Sequence, residues 1–435
     1  MARATKTVVL IGAGSASFTR GLLADMIVDG GSWDIRLVDV DPEALEAAFR
    51  LGERLIAARK APIALSKHTD RTRALPGTDF AVTTIAVGGR RAWEQDVFIP
   101  RKYGIFQPVG DTIMPGGISR ALRHVPALCA IARDVADLAP DARFFNYTNP
   151  MAMNCRGVQL ATGVQMVGLC HGVKNGERDL ARLLGVEESR CTFTAVGMNH
   201  LAFFTEFTID GQDGRPALRE KLLAAEPHPA ESLRSAIFLQ TGLYSVLNDC
   251  HLTEFFPQFH RSGAHPGGRL GVDIFSFEGN IANGDRGYRA MADQAFGRAP
   301  LDHSMLERRP GEHEQVVSIF RSLDRKKPDR YSVILPNTGQ VTNLPPQAPL
   351  ECPARVSSAG VVPVQVGEVP AFLRAVVGKA LLTVELAAQA AVERSKEKFL
   401  EAIIADGSAG SMDDAVRLAD ELWAANVPYL QDAGA

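Results

Sequence analysis

Residues 6–20, KTVVLIGAGSASFTR, decide the fold. Val8, Val9, Leu10 and Ile11 read as a short buried strand. Gly12-Ala13-Gly14 makes a turn too tight for side chains, and helical spacing resumes from Phe18 to Met26. A strand, a glycine turn and a helix N-terminus together cradle a pyrophosphate, because unpaired N–H groups and the helix dipole face the anion. The expected contacts are Gly12, Gly14, Ser15, Ala16, Ser17 and Phe18. The second strand, Ile35-Arg36-Leu37-Val38, ends in Asp39, where an acid accepts hydrogen bonds from the adenosine ribose hydroxyls. A 2′-phosphate would be repelled there, so the expected cofactor is NAD rather than NADP. The third glycine of the usual GxGxxG pattern is replaced: Ser15-Ala16-Ser17 follows Gly14.

The rest of the N-terminal half repeats the rhythm. Strands over 79–86, 143–147 and 164–169 alternate with helical patterns such as 121–139. This predicts an α/β chain: an N-terminal Rossmann-type doubly wound parallel sheet over 1–195 and a C-terminal α+β domain over 196–435. Ligands in such sheets bind beyond the carboxyl ends of the strands, where Gly12, Val87, Gly88, Asn149 and Cys170 fall. Past residue 195 the reading changes. Antiparallel strands are expected over 191–196 and 202–209, irregular structure over 258–283, and short strands over 331–350. Long helices are expected over 370–403 and 412–426.

Bulk properties narrow the function. A net charge of −3 gives no global attraction to nucleic acid or anionic membrane. No apolar run reads as a membrane span, and MARATKTVVL leads directly into the first strand without room for a signal peptide. The cysteines at 129, 155, 170, 191, 250 and 352 lack paired spacing, which fits a reducing cytoplasm.

Two strand ends carry chemistry. Cys170-His171-Gly172 and Gly197-Met198-Asn199-His200 place a thiol and an imidazole where they can share a divalent metal; the plain alternative is a buried cysteine and a core histidine. Asp111 sits in a GDT loop, Asn149 precedes Pro150, and Asp249, His251 and Glu254 lie among aromatics.

In order, GAGSASF, the VGG turn, YGIFQPVGDT, FNYTNPMAMN, GLCHG and GMNH resemble family 4 of the glycoside hydrolases, the NAD- and metal-dependent glycosidases. The resemblance implies a redox-assisted cleavage. NAD+ takes a hydride from C3 of the sugar, a base removes the acidified C2 proton, and a metal stabilises the enediolate. The aglycone leaves with acid help, water adds, and the hydride returns. Carried over, it implies Cys170 and His200 as ligands of Mn2+ or another divalent metal. Asn149 is the implied contact to the sugar hydroxyls, and Asp111 an acid near the reacting hydroxyls. Asp249 is the implied C2 base, with Tyr244 as its substitute, and His171 a candidate acid. A homodimer or homotetramer is also implied.

Cys170-His171 resembles the branch acting on unphosphorylated sugars: α-galactosidases, α-glucosidases, uronidases and, beside them, sulfoquinovosidases. Arg90, Arg91, Lys174 and His251 are expected to hold an anion on C6, which favours a sulfoquinovoside. Alternatively, the arginines serve the NAD phosphates. The competing classes are a simple NAD-dependent 2-hydroxy-acid or sugar dehydrogenase and a non-catalytic NAD-binding sugar sensor.

Overall fold

The structure is a computed structural model and describes residues 5–16, 18–224, 232–256, 277–307 and 314–431. Six parallel strands form the first part of one sheet: β1 (Lys6–Ile11), β2 (Trp33–Val38), β3 (Ile63–His68), β4 (Phe80–Thr83), β5 (Arg143–Asn146) and β6 (Met166–Gly168). Their order is β3-β2-β1-β4-β5-β6, the doubly wound arrangement that the glycine turn predicts. Successive residues of β1 serve opposite faces. Val9 and Ile11 join one apolar core, and Val8 and Leu10 another. A strand buried on both faces has to be continuously apolar, as VVLI is.

The sheet does not stop at β6. The remaining strands are β7 (Cys191–Met198), β8 (Leu201–Ile209), β9 (Gln212–Asp213), β10 (Tyr244–Ser245), β11 (Asp329–Pro336), β12 (Pro349–Ser357) and β13 (Gly360–Pro363). The hairpin β11–β12 joins antiparallel to β6, and β7, β8 and β10 continue the order from β12. Residue 195 lies inside β7, so one sheet runs through both halves. Strand β11 reaches β6 through a single paired residue, Ile334 opposite Gly168.

The 370–403 pattern forms two helices, Ala371–Glu393 and Lys396–Asp406. Arg394 stands between them at φ 54°. The first is long and apolar enough to cross a membrane, contrary to the expectation of no such run. It packs instead against the helices Met114–Leu138 and Met151–Thr162, and its alanines, counted as apolar, line that contact. Residues 277–283, expected to be irregular, open the helix Phe277–Ala295; 258–276 lie outside the described residues.

Candidate active site

The glycine turn sits at the β1/β4 switch point, where the strand order reverses. Gly12 has φ +92°, and a Cβ there would lie 2.7 Å from Ile85 N and Thr84 C. Thr84 Oγ1 donates to Gly12 O at 3.0 Å and closes the turn onto β4. The Asp39 carboxylate accepts Gly14 N–H at 2.7 Å and Asp41 N–H at 3.0 Å, so the ribose acid is held at the cradle's edge. Ser15 Oγ accepts Phe18 N–H at 3.2 Å at the start of the helix Phe18–Asp29. Ala16 packs into an apolar cluster with Tyr288, and Ser17 lies outside the described residues. Opposite, Arg123 Nε donates to Val87 O at 2.9 Å. A Cβ on Gly88, at φ 74°, would meet the Tyr429 hydroxyl at 2.8 Å.

Gly12→Ala forces both a backbone clash and a left-handed alanine. Such strain is of order 1–3 kcal/mol. We expect NAD+ affinity to drop roughly 10- to 100-fold by fluorescence titration, with circular dichroism unchanged. Unchanged affinity would place the dinucleotide elsewhere.

Beyond the neighbouring strand ends, Asp111, His200 and His251 offer donor atoms that all lie within 4.8 Å of one another. His200 occupies the two-residue connection between β7 and β8 at φ +69°, a conformation histidine adopts only at a cost. Thr112 fixes its tautomer. The Thr112 hydroxyl donates to Asp111 Oδ1 at 2.7 Å and so must accept from His200 Nδ1–H at 2.6 Å. Nε2 then carries the lone pair. Burial holds the His200 pKa down at about 3, which keeps the ring neutral. Asp111 Oδ2 accepts Asn149 Nδ2–H at 2.9 Å. Burial opposes charge on Asp111, but the Arg120 guanidinium and the Thr112 hydroxyl favour the carboxylate, and its pKa lies below the ordinary value.

The His251 ring centroid lies 4.3 Å from that of His200. Its buried Nδ1 has no hydrogen-bond partner among the described residues. A carboxylate, a neutral imidazole and an unpartnered imidazole nitrogen make a donor set that fits a divalent cation. Glu254, 1% exposed, accepts Val109 N–H at 2.8 Å and Gly110 N–H at 2.7 Å, tying the His251 segment to the Asp111 loop.

The structure brings Asp111, Asn149, His200 and His251 together, and the other expected residues have partners of their own. Cys170 Sγ accepts Gly172 N–H at 3.3 Å and lies beside Asn199, the residue before His200. His171 faces Glu314, with Nδ1 to Oε1 at 3.7 Å, and Glu314 raises its pKa. Asp249 caps a helix: its oxygens accept Leu233 N–H at 3.0 Å and Arg234 N–H at 2.8 Å. Tyr244 packs edge-on to Phe238 under the Arg234 guanidinium, 4.1 Å above its ring.

The expected anion pocket is also dispersed. Arg90 pairs with Asp285 at 2.5 Å, Arg91 with Asp285 and Glu94 at 2.7 Å each, and Lys174 with Glu177 and Glu188. The sequence reading missed Thr112, Arg120, Arg123 and Glu314. The arginines carry the one legible signal, charges set between apolar positions of a core helix.

Two family models match: family 4 glycosyl hydrolase over residues 7–186, and its C-terminal domain over 195–408. An α-galactosidase from Bacillus subtilis is 28% identical, covering 98% of this chain and 99% of its own. An α-galacturonidase from the same organism is 28% identical over 92% of each chain. The 6-phospho-β-glucosidase of Thermotoga maritima, solved with manganese, NAD+ and glucose-6-phosphate, superposes with a TM-score of 0.82 at 21% identity. It covers 97% of this chain and 99% of its own. With both family domains matched in order across the sheet that carries the glycine turn and the Asp111–His200 cluster, the chain belongs to family 4 of the glycosyl hydrolases.

Proposed function

We propose that this glycosidase uses NAD+ and a divalent metal, Mn2+ first, on an unphosphorylated hexoside. One observation carries this reading: a dinucleotide cradle at the β1/β4 switch point shares its sheet end with the Asp111–His200–His251 donor set. When bound, the dinucleotide supplies a hydride acceptor and the metal a Lewis acid. Asp111, His200 and His251 would hold the metal, and Gly12, Gly14 and Asp39 the dinucleotide. Asn149 donates to Asp111 through Nδ2, which leaves its Oδ1 to orient a sugar hydroxyl. His171, whose pKa Glu314 raises, would give a proton to the leaving oxygen.

The sugar's C6 group is read from the charges around the site. Arg90, Arg91 and Lys174 are each neutralised by carboxylates, which favours a neutral α-galactoside or α-glucoside. A sulfoquinovoside or uronide reading then rests on His251 and on His260, Arg261 and His265; the last three lie outside the described residues. Six free thiols support a cytoplasmic setting. Exposed Leu382, Met412 and Val416 on the C-terminal helices support a homodimer or homotetramer.

The test is a panel of nitrophenyl glycosides with and without NAD+ and Mn2+: galactoside, glucoside, galacturonide and sulfoquinovoside. Turnover should require both additions and show no net NADH. Stoichiometric NADH would make the protein a simple dehydrogenase, and a bound nucleotide without turnover would make it a sensor.

A further inference from the structure

The helix Met114–Leu138 carries two buried arginines one turn apart, and only one is neutralised. Arg123 forms a forked pair with Asp96. Arg120, 9% exposed, makes one hydrogen bond among the described residues, from Nε to Asn149 O at 3.0 Å. Asp96 and Asp111 act on it only through space. The Trp93 ring covers one side, 5.8 Å from the guanidinium carbon. Burial and the nearby Arg123 lower its pKa only to about 10, so it is charged at neutral pH.

A buried cation without a bonded counter-ion costs several kcal/mol of stability. A chain that keeps one has a use for it, and the unspent donors here are the two terminal amines. Position indicates which anion they meet. Arg120 is bonded to Asn149, and Asn149 to Asp111, so it backs the sugar-facing side of the site. The glycine turn expected to take the pyrophosphate lies across β4, at the end of β1.

A neutral sugar brings no anion, but its reaction makes one. With C3 at the ketone level, the oxidation that a bound dinucleotide would supply, the C2–H bond breaks and its proton passes to a base. The bonding pair moves onto the C3 oxygen as an enolate. We propose that Arg120 meets this oxygen with a charge-assisted hydrogen bond and is a catalytic residue for the C2 deprotonation. The inference rests on the glycosidase reading above.

The experiment follows exchange of the C2 hydrogen with solvent deuterium, using nitrophenyl α-galactoside, NAD+ and Mn2+. Losing one oxyanion donor typically costs about 100- to 1,000-fold. Arg120→Met should lose that much in exchange and in kcat, with KM and the NAD+ dissociation constant unchanged, and Arg120→Lys should recover part of it. The melting temperature of Arg120→Met should not fall, because the variant removes an unpaired buried charge; a merely structural arginine would lower it. Wild-type exchange rates in Arg120→Met would overturn the inference. So would a drop in NAD+ affinity equal to the drop in rate, or a loss confined to acidic glycosides. Absence of C2 exchange in the wild type would instead overturn the glycosidase reading, and this inference with it.

Discussion

His200→Ala should abolish glycoside turnover, and His200→Asn should do the same. The pair of substitutions separates two roles of one residue. His200 closes the β7–β8 turn at φ +69°, where alanine is strained and asparagine is tolerated. It also presents Nε2, through the Thr112 tether, to the donor cluster with Asp111 and His251. A Lewis acid contributes several kcal/mol to stabilising developing charge. Its loss corresponds to roughly a thousandfold or more in rate. Mn2+ binding, followed by electron paramagnetic resonance, should weaken in both variants while NAD+ affinity holds. If His200→Asn keeps both Mn2+ affinity and rate, the cluster is not the metal centre, and Cys170 with other groups has to be considered.

What the sequence revealed and what it hid follow from the range of the forces involved. The β1 turn, its helix and Asp39 were legible because each is set by residues within about thirty positions: a glycine forced by φ, an apolar run, an acid at a strand end. Asp111, Asn149 and His200 were legible through family resemblance, each lying beside a strand end or tight turn. The pairing of the arginines with Asp285 was not legible because that partner is remote. Asp285 reaches Arg90 from the helix Phe277–Ala295, whose first turns fall in the 258–283 stretch expected to be irregular. The partners of Asp249 were hidden for a similar reason. The N-terminal N–H groups it accepts belong to a helix about fifteen residues upstream, and no local pattern announces that bond. The antiparallel extension of the sheet hangs on single paired residues, Ile334 with Gly168 and Glu351 with Gly197, below the resolution of any periodicity.

The largest stability effect should come from Arg123. Its side chain and that of Asp96 are each 1% exposed and bonded twice, at 2.9 and 2.5 Å. Ser119 also donates to Asp96, and Asn426 of the C-terminal helix accepts from Arg123 and donates to Ser119. The fourth bond, Nε to Val87 O, reaches the dinucleotide turn itself. Arg123→Met leaves a buried carboxylate without its cation, which costs about 3–5 kcal/mol. The urea midpoint should fall accordingly. Arg123→Met combined with Asp96→Leu removes both charges, and an apolar replacement of a buried pair is often neutral or stabilising. The double variant should therefore regain most of the lost stability. It should not regain NAD+ affinity, because the Val87 carbonyl still lacks its donor and the turn against Tyr429 is loosened. Stability recovered together with full NAD+ affinity would show that the pair holds only the core. A single variant that unfolds at the parent's urea concentration would show that it holds neither.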